Sequence, residues 1–212
     1  MKKRKTFIAA LFIIICGNIL SQTGKKLDEN EKKIFEQKII EQSEKIITLQ
    51  CDFLQEKTSV LLSEKAGAKG VLLYQAPNKL RWEYTEPTPL ILILNENNVS
   101  LRSENGQKTG DERMLKQLGS IIISMINGNG ITQNKQFSTD YYKMDNELIL
   151  VVLTPVQKRL KDFYNKIELK IDQKTMLANE IVLDEKTGDK MTIILSNKVL
   201  NAELLQNKFE VK

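Results

Sequence analysis

Histidine is absent from the 212 residues, and only two cysteines are present, Cys16 and Cys51. Without imidazole the chain cannot build a Ser-His-Asp or Cys-His nucleophile system, a His-ligated zinc site or a proton shuttle near neutral pH. Two cysteines are too few for a cysteine-cluster metal site. The 41% apolar and 28% charged residues are typical of a folded globular chain, so neither disorder nor a membrane-spanning bulk is predicted.

The net charge of +5 depends on one short segment at the N-terminus. Residues 2–5 are Lys-Lys-Arg-Lys, and an apolar run over residues 7–15 follows them directly. This arrangement is typical of a secretory signal, because a helix needs roughly 20 apolar residues to span a bilayer. We predict that residues 1–21 are removed, with cleavage near Ser21 or Gln22, and that the mature protein is exported. Removing the four cations leaves 28 Lys and Arg residues against 27 Asp and Glu residues, so no nucleic-acid partner is expected.

Cys16 closes the apolar run, where a lipid-modified N-terminal cysteine could lie, although the residues before it are bulkier than such sites usually accept. If Cys16 leaves with the signal, Cys51 is a single thiol that can form no disulfide within the chain. Cys51 alternates with Leu49 and Phe53, so a buried and unreactive thiol is predicted.

The beginning of the mature chain predicts one amphipathic helix from Asp28 to Leu49. The segment is rich in Glu, Lys, Gln and Ile and contains neither Gly nor Pro. Its apolar residues recur at helical spacing: Ile34 or Phe35, Ile39, Ile46 and Leu49. Asp28 is suited to cap the first turn.

Most of the remaining chain alternates with a period of two, which is typical of strands with one apolar and one solvated face. The apolar faces are predicted to carry Leu80, Trp82, Tyr84, Phe163, Ile167, Leu169, Ile171, Leu177, Ile181, Leu183, Met191, Ile193 and Leu195. Turn signals at residues 97–98, 105–106, 145–146 and 187–189 separate short strands. We therefore predict a single domain, residues 22–212, that is mainly β: one strongly curved antiparallel sheet of about ten to eleven strands.

A second amphipathic helix is predicted inside the β chain, from Arg113 to Asn127. Its apolar residues fall at helical spacing: Met114, Leu115, Leu118, Ile121, Ile122, Met125 and Ile126. Asn-Gly-Asn-Gly at residues 127–130 then predicts a helix end and a flexible joint. This helix could be a movable cover or a permanently docked part of the core, and the spacing does not distinguish the two.

Catalytic candidates are few. Gly128 and Gly130 form a glycine-rich loop, but the Lys-Ser/Thr pair of a phosphate-binding loop does not follow. Glu83 lies on the polar face of its strand and Glu86 precedes Pro87, which favours solvated side chains over an acid/base pair. We predict no enzymatic activity, no cofactor and no metal site.

The apolar face of such a sheet leaves two interpretations open. A curved sheet that does not close can fill its concave face with side chains, or it can keep space for an apolar guest. Composition does not decide between them. If a guest is bound, we expect a hollow that stays partly vacant and a covering helix that exchanges with the guest.

The motif of residues 70–87 favours the second interpretation, a sheet that keeps space for an apolar guest, through a family resemblance. It comprises a strand that begins with Gly, a Pro-Asn turn, an aromatic strand containing Trp82, and Pro87. This segment resembles the LolA family, the periplasmic carriers of outer-membrane lipoproteins. Further elements that look like the family's follow its order: Phe53-x-Gln55, the Leu-x-Pro strand end within residues 150–155, and Asn197, Asn201 and Phe209. The resemblance covers about residues 34–211.

The resemblance implies an unclosed, half β-barrel with an α-helical lid, and a hydrophobic cavity that accepts the acyl chains of a triacylated lipoprotein. It implies a chaperone or carrier without enzymatic activity, which moves lipoproteins from an inner-membrane ABC lipoprotein-releasing complex to an outer-membrane acceptor. We expect this carrier to be a monomer. Many family members have an Arg before the turn Pro that holds the lid shut by hydrogen bonds, whereas this chain has Ala76. Whether Arg81 or no residue takes that role stays open.

The residues expected to contact acyl chains lie on the apolar faces of the sheet and of the second helix. They are Phe53, Leu72, Leu80, Trp82, Tyr84, Leu92, Leu118, Ile122 and Met125. Two alternative functions use the same fold. A membrane-anchored lipoprotein acceptor would be tethered through a lipidated Cys16, and a lipid-sensing regulatory domain would bind an anti-sigma factor.

Overall fold

The computed structural model describes residues 24–60, 65–96, 98–103, 112–132 and 135–211. The expected signal segment with Cys16, and the turn expected at residues 105–106, lie outside these residues. The strands are β1 (Lys25–Lys26), β2 (Thr48–Thr58), β3 (Lys65–Gln75), β4 (Lys79–Glu86), β5 (Leu90–Asn95), β6 (Asn98–Ser103), β7 (Phe137–Lys143), β8 (Leu148–Pro155), β9 (Tyr164–Asp172), β10 (Ala178–Glu185) and β11 (Lys190–Leu200). The helices are α1 (Glu29–Ser43), α2 (Glu112–Ile126), α3 (Asn129–Thr132), α4 (Lys158–Lys161) and a 3₁₀ helix, Gln206–Phe209.

The strands form one antiparallel sheet in the order β1-β7-β8-β9-β10-β11-β2-β3-β4-β5-β6. Two meanders, β2 to β6 and β7 to β11, are joined where β11 pairs with β2. The two outer strands, β1 and β6, do not pair with each other, so the sheet is not closed into a barrel. The predicted class, a mainly β, unclosed antiparallel sheet accompanied by helices, is confirmed.

The first helix begins as predicted but ends earlier. Asp28 Oδ1 accepts hydrogen bonds from the backbone N–H groups of Asn30 (2.9 Å) and Glu31 (2.8 Å), and the Glu31 side chain accepts one in return from the Asp28 N–H. The helix stops at Ser43, so the predicted end at Leu49 is wrong. The segment Ile46-Ile47-Thr48 is β-branched and favours the strand that begins at Thr48.

The core lies between the helices and the inner face of the sheet. Leu80, Trp82 and Tyr84 of β4 point to this face, as their alternation predicts. Helix α2 covers the β4 and β5 region, and a Cβ on its Gly119 would lie only 2.3 Å from Leu94 Cδ1. The absence of a side chain at Gly119 therefore lets the helix backbone approach the sheet closely.

One predicted strand face needs a correction at its start. Phe163 is exposed and precedes β9, while Tyr164 is buried on the inner face. The backbone N–H of Phe163 bonds to Leu160 O, which ends the short helix α4, and the β9–β10 pairing is irregular where Glu185 meets Tyr164. This irregularity displaces the start of the strand by one residue, and strict alternation holds again from Ile167 to Ile171.

The C-terminal segment of the chain packs on the outer face of the sheet. Phe209 is 1% exposed, and the 3₁₀ helix that contains it packs on β4 and β5. Side chains of the sheet donate to the backbone oxygens of this segment: Arg81 to Lys208, Asn95 to Phe209 and Arg102 to Glu210. Arg81 also pairs with Glu83 on the outer face, at 2.7 Å.

Candidate functional site

A small apolar cavity lies between the helices and the inner face of the sheet. Helices α1, α2 and α3 form one wall, and strands β2, β3, β9, β10 and β11 form the other. The lining residues are Ile39, Gln42, Ser43, Ile46, Leu49, Cys51, Leu72, Ile122, Met125, Ile126, Ile131, Leu169, Ile171, Met176, Leu177, Ala178, Ile181, Leu195 and Lys198. Aliphatic side chains and methionines dominate this set, and the part of the chain that the structure describes places no aromatic ring in it.

The cavity is too small for a lipid in this state. The volume of the cavity is about 60 Å³. Pockets for drug-sized ligands measure roughly 300–1,000 Å³. The concave face is therefore mostly filled by side chains, with a residual hollow, and a hydrocarbon chain could enter only if one of the covering helices moved.

Lys198 is the charged residue in the lining, and a bulge in β11 places it there. The register between β11 and β2 shifts between Ser196 and Val199, so that Asn197 and Lys198 stand opposite Cys51. Asn197 has a φ of 50° and donates a hydrogen bond to Asp52 Oδ2 at 2.7 Å. The extra residue turns Lys198 toward the cavity, where its Nζ donates to Asn179 Oδ1 at 2.5 Å.

Burial shifts the pKa values of two groups at this end of the cavity, Cys51 and Lys198. Burial raises the pKa of the Cys51 thiol to about 12, although the nearby Lys198 ammonium opposes the shift. Burial also lowers the pKa of Lys198, while Cys51 and Asp172 oppose that change. Cys51 is therefore a neutral thiol near pH 7, as predicted from its buried position, and it is a poor nucleophile.

The neighbouring region of the inner face is packed with aromatic rings. The ring centroid of Phe53 lies 5.0 Å from that of Trp82 and 5.1 Å from that of Tyr84, both in edge-on geometry. The Tyr84 hydroxyl donates to Gln55 Oε1 at 3.0 Å, and burial raises the pKa of Tyr84 to about 12. This aromatic cluster, Phe53, Trp82 and Tyr84, does not line the apolar cavity.

The nine predicted contact residues divide between these two regions. Leu72, Ile122 and Met125 line the cavity. The other six are buried in the packed core: Phe53, Leu80, Trp82, Tyr84, Leu92 and Leu118. Sequence reasoning missed the wall built by α1 and by residues 169–181, and it missed Lys198. The sequence does hint at Lys198. The inward residues of β11 are odd-numbered up to Leu195 (Met191, Ile193 and Leu195), but the next apolar inward residue is Leu200, so an extra residue must lie between them.

The end of α2 is fixed to the sheet by a small polar cluster. Asn127 Nδ2 donates to Pro77 O at 2.9 Å, and the Asn127 side-chain oxygen accepts a hydrogen bond from the Tyr74 hydroxyl. The Tyr74 hydroxyl also lies 3.2 Å from Pro77 O. The β3–β4 turn beside Ala76 is thus bound to the helix end through Asn127. Arg81 points the other way: among the described residues it donates to Glu83 Oε2 and to Lys208 O on the outer face of the sheet.

The joint after α2 packs against the end of α1. Gly128 has a φ of +72°, a conformation that favours glycine, and a Cβ there would lie 3.0 Å from Ser43 Oγ. Helices α1 and α3 are held on β7 by Tyr141, whose hydroxyl lies 2.7 Å from Glu36 Oε1 and 3.1 Å from Ile131 O. The described side chains of α2 bond within the helix instead, Ser120 to Lys116 O and Ser124 to Ile121 O.

The described residues contain no cluster of three or more His, Cys, Asp or Glu side chains that could hold a metal ion. None of the helices in the described ranges is long and apolar enough to cross a membrane. The lining of the cavity is a mainly apolar surface that carries one ammonium group, that of Lys198.

Comparison with known proteins places the chain in a family. Residues 44–212 match the sequence model described as "Outer membrane lipoprotein carrier protein LolA". The chain belongs to the LolA family. No curated protein matches it significantly by sequence.

Several solved structures are similar to this chain. A LolA superfamily protein from Nitrosomonas europaea, NE2245, is 13% identical, with 82% of this chain and 97% of that chain covered and a TM-score of 0.41. LprF from Mycobacterium bovis is 13% identical, with 89% and 100% covered and a TM-score of 0.43. MucB is 9% identical, with 86% and 63% covered and a TM-score of 0.52. At these identities the MucB likeness supports the fold of this LolA-family chain and nothing finer.

Proposed function

We propose that this protein is a periplasmic carrier that binds the acyl chains of lipoproteins beneath its helices and ferries them from the inner to the outer membrane. The observation that carries the proposal is the apolar cavity between three helices and an unclosed sheet. Membership of the LolA family supports it, since the family is described by lipoprotein carriage. Its partners would be an inner-membrane ABC lipoprotein-releasing complex and an outer-membrane acceptor.

The energy of acyl burial requires a competitor inside the protein. At about 0.8 kcal/mol per buried methylene, full burial of a sixteen-carbon chain contributes on the order of 12 kcal/mol before ordering costs. A carrier that bound this firmly would not release its cargo. A helix that packs on the same apolar surface when cargo is absent reduces the net affinity, because cargo must displace it.

Helix α2 is the element suited to this exchange. Its buried face presents Leu118, Ile121 and Ile122 to the sheet, and its C-terminal end is held by the Asn127 hydrogen bonds to the β3–β4 turn. Gly128 follows immediately and supplies a joint. Movement of α2 would enlarge the cavity from Leu72 and Ile122 toward β4 and β5.

After this motion the predicted contact residues would line one continuous cavity. Leu72, Ile122 and Met125 line the cavity already, and Leu80 lies directly beneath Gly119 of α2. We propose that these four contact cargo first. The remaining predicted residues would become accessible only after α2 has left the sheet: Phe53, Trp82, Tyr84, Leu92 and Leu118.

The test is the transfer of a lipoprotein out of a membrane. Inner-membrane vesicles that contain a labelled triacylated lipoprotein are supplied with ATP and the purified protein, and the vesicles are then sedimented. We expect labelled lipoprotein in the supernatant, bound to the protein. Ile122→Glu should reduce this transfer by at least about tenfold, because a carboxylate on the apolar face of α2 opposes both helix docking and acyl contact.

Ser120→Glu is the matched control, since Ser120 lies on the exposed face of the same helix. Circular dichroism checks that both variants keep the sheet. Retention of all lipoprotein in the vesicles with the wild-type protein would refute the carrier function. Wild-type transfer by Ile122→Glu would refute the assignment of α2.

A membrane-anchored acceptor is the second candidate, and the position of Cys16 at the end of the apolar run favours it. Mass analysis of the mature N-terminus separates the two. A terminus near Gln22 supports the soluble carrier, and a lipidated Cys16 supports the acceptor.

A further inference from the structure

We propose that the cavity selects amphiphiles that carry an anionic group next to a long alkyl chain, and that Lys198 Nζ binds this group. The inference rests on the acyl-binding part of the proposed function. The lipid anchor of a triacylated lipoprotein is uncharged, so an anionic amphiphile is a second class of ligand for the same cavity. A fatty-acid carboxylate and a lipid phosphate share the required chemistry.

The first support is that the backbone is built to bring a cation to this position. Strict alternation along β11 would leave Lys198 on the outer face, because Leu195 points inward. The bulge at Asn197 turns Lys198 to the inner face instead. The Asn197 side-chain amide donates to Asp52 on the neighbouring strand β2 and so fixes the bulge. A polar residue thus enters a wall that is otherwise made by Cys51, Leu195 and their apolar neighbours.

The second support is the absence of a neutralising carboxylate. Among the described residues, no Asp or Glu forms an ion pair with Lys198, whose hydrogen-bond acceptor is the neutral amide oxygen of Asn179. Asp172 acts on the pKa of Lys198 only through its charge, without a direct ion pair. Its Oδ1 already accepts hydrogen bonds from the backbone N–H groups of Lys174 and Thr175 and from the Thr175 hydroxyl.

Partly buried lysines elsewhere on the sheet do have such partners. Lys170 is 2.8 Å from Glu180, and Lys166 is 2.5 Å from Glu168. Lys57 lies near both Glu185 and Asp189. Lys198 differs from these lysines in lining an apolar cavity with an amide as its acceptor.

The third support is the energetic state of the ammonium group. Burial lowers the pKa of Lys198, which means that its charge is poorly compensated in the protein. The adjacent Cys51 thiol, with its pKa raised to about 12, stays neutral and supplies no counter-charge near pH 7. An anionic headgroup placed at Nζ would supply that counter-charge, and its alkyl chain would meet the aliphatic lining.

The experiment compares ligands that differ only in the headgroup. Palmitate, hexadecyl phosphate and hexadecanol, each below its aggregation concentration, compete with the neutral fluorescent dye N-phenyl-1-naphthylamine for the full mature protein. We expect palmitate or hexadecyl phosphate to bind roughly tenfold or more tightly than hexadecanol, because hydrogen bonds to charged groups contribute more than neutral ones. Whichever of the two acids binds more tightly identifies the source, a fatty acid or a phospholipid.

Variants of Lys198 separate the headgroup from the cavity. Lys198→Gln should weaken the binding of palmitate and hexadecyl phosphate more than that of hexadecanol and so remove this preference, and Lys198→Arg should retain it. Lys190→Gln, at an exposed lysine on the same strand, should behave as the wild type. Thermal unfolding confirms that each variant is folded, and Lys198→Met gives a second neutral replacement if Lys198→Gln is unstable.

Two results would overturn the inference while the acyl-binding function stands. One is equal affinity of the wild type for hexadecanol and for both anionic ligands, and the other is unchanged palmitate affinity in folded Lys198→Gln and Lys198→Met. If none of the three alkyl compounds displaces the dye, the inference and the acyl-binding function fail together.

Discussion

The two halves of the inner face differ in what fills them. On β2 to β4, the aromatic cluster of Phe53, Trp82 and Tyr84 closes the interior with rings about 5 Å apart. On β9 to β11, with Leu49 and Cys51 of β2 and Leu72 of β3, aliphatic side chains and the ammonium of Lys198 face α1, α2 and α3 and leave a cavity. The same alternating strand pattern produces both halves. Side-chain volume and one bulge, more than strand architecture, therefore decide where this LolA-family fold keeps free space.

The largest expected effect comes from breaking the packed half. Trp82→Ala should lower the free energy of unfolding by about 3–5 kcal/mol, because it removes a large, fully buried ring and leaves a cavity. Trp82→Phe should cost less, since Trp82 Nε1 has no hydrogen-bond partner among the described residues. Urea unfolding followed by circular dichroism measures both.

The matched truncation in the cavity half is Leu195→Ala. Leu195 is only half-buried and borders existing space, so its loss should cost clearly less than the loss of Trp82. Equal destabilisation by Leu195→Ala and Trp82→Ala would show that the two halves are packed alike.

A smaller effect should follow from loosening the helix that lies between the halves. Asn127→Ala removes the hydrogen bonds to Pro77 O and from the Tyr74 hydroxyl, at a cost of about 1–2 kcal/mol to the docked state of α2. Amide hydrogen exchange in α2 should accelerate by roughly 5- to 30-fold, while exchange in β9 to β11 stays unchanged.

Asn165→Ala is the control for this prediction, because Asn165 bonds to Asp184 and Glu185 across β9 and β10, away from α2. It should leave α2 exchange at the wild-type rate. Unchanged exchange in Asn127→Ala would mean that the apolar contacts of α2 alone hold it in place.

The smallest expected effect is a pH dependence of stability that reports how completely the Cys51 thiol is shielded from water. Burial raises the pKa of Cys51 from its ordinary 9.0 to about 12, so the unfolded chain loses this proton first as the pH rises. Stability is therefore lost as the pH passes 9, and from pH 9 to about pH 10 the wild type should lose about 1 kcal/mol more than Cys51→Ala. Urea unfolding at the two pH values checks this, and equal losses would indicate a hydrated thiol.

The strand faces of the packed half could be predicted from sequence because alternation depends only on neighbouring residues. Leu80, Trp82 and Tyr84 are buried as their period indicates. The start of β9 could not, since Tyr164 takes the inward position through an irregular pairing with a strand about twenty residues away. The end of α1 was also missed, because Ile46 and Leu49 have the i, i+3 spacing of a helix, although Leu49 also begins the i, i+2 series of β2 with Cys51 and Phe53.

The cavity half was harder to predict for a physical reason. A cavity is the difference between the volume that the backbone encloses and the volume of the side chains that fill it, and no sequence period reports that difference. The predicted set therefore included the aromatic residues with the most apolar area, which are the ones that fill space. Lys198 depends on a bulge that the Asn197–Asp52 hydrogen bond fixes across two strands.

If cargo and α2 compete for one surface, the position of α2 must differ between the empty protein and the protein with a bound acyl chain. Spin labels at Ser120→Cys on α2 and Ile194→Cys on the outer face of β11, in a Cys51→Ala background, report the distance between the helix and the sheet. A second pair, Lys33→Cys on α1 and Ile194→Cys, serves as the reference. We predict that a bound triacylated lipoprotein lengthens the α2 distance and leaves the α1 distance unchanged. An unchanged α2 distance in the loaded protein would contradict the claim that cargo and helix compete for one surface.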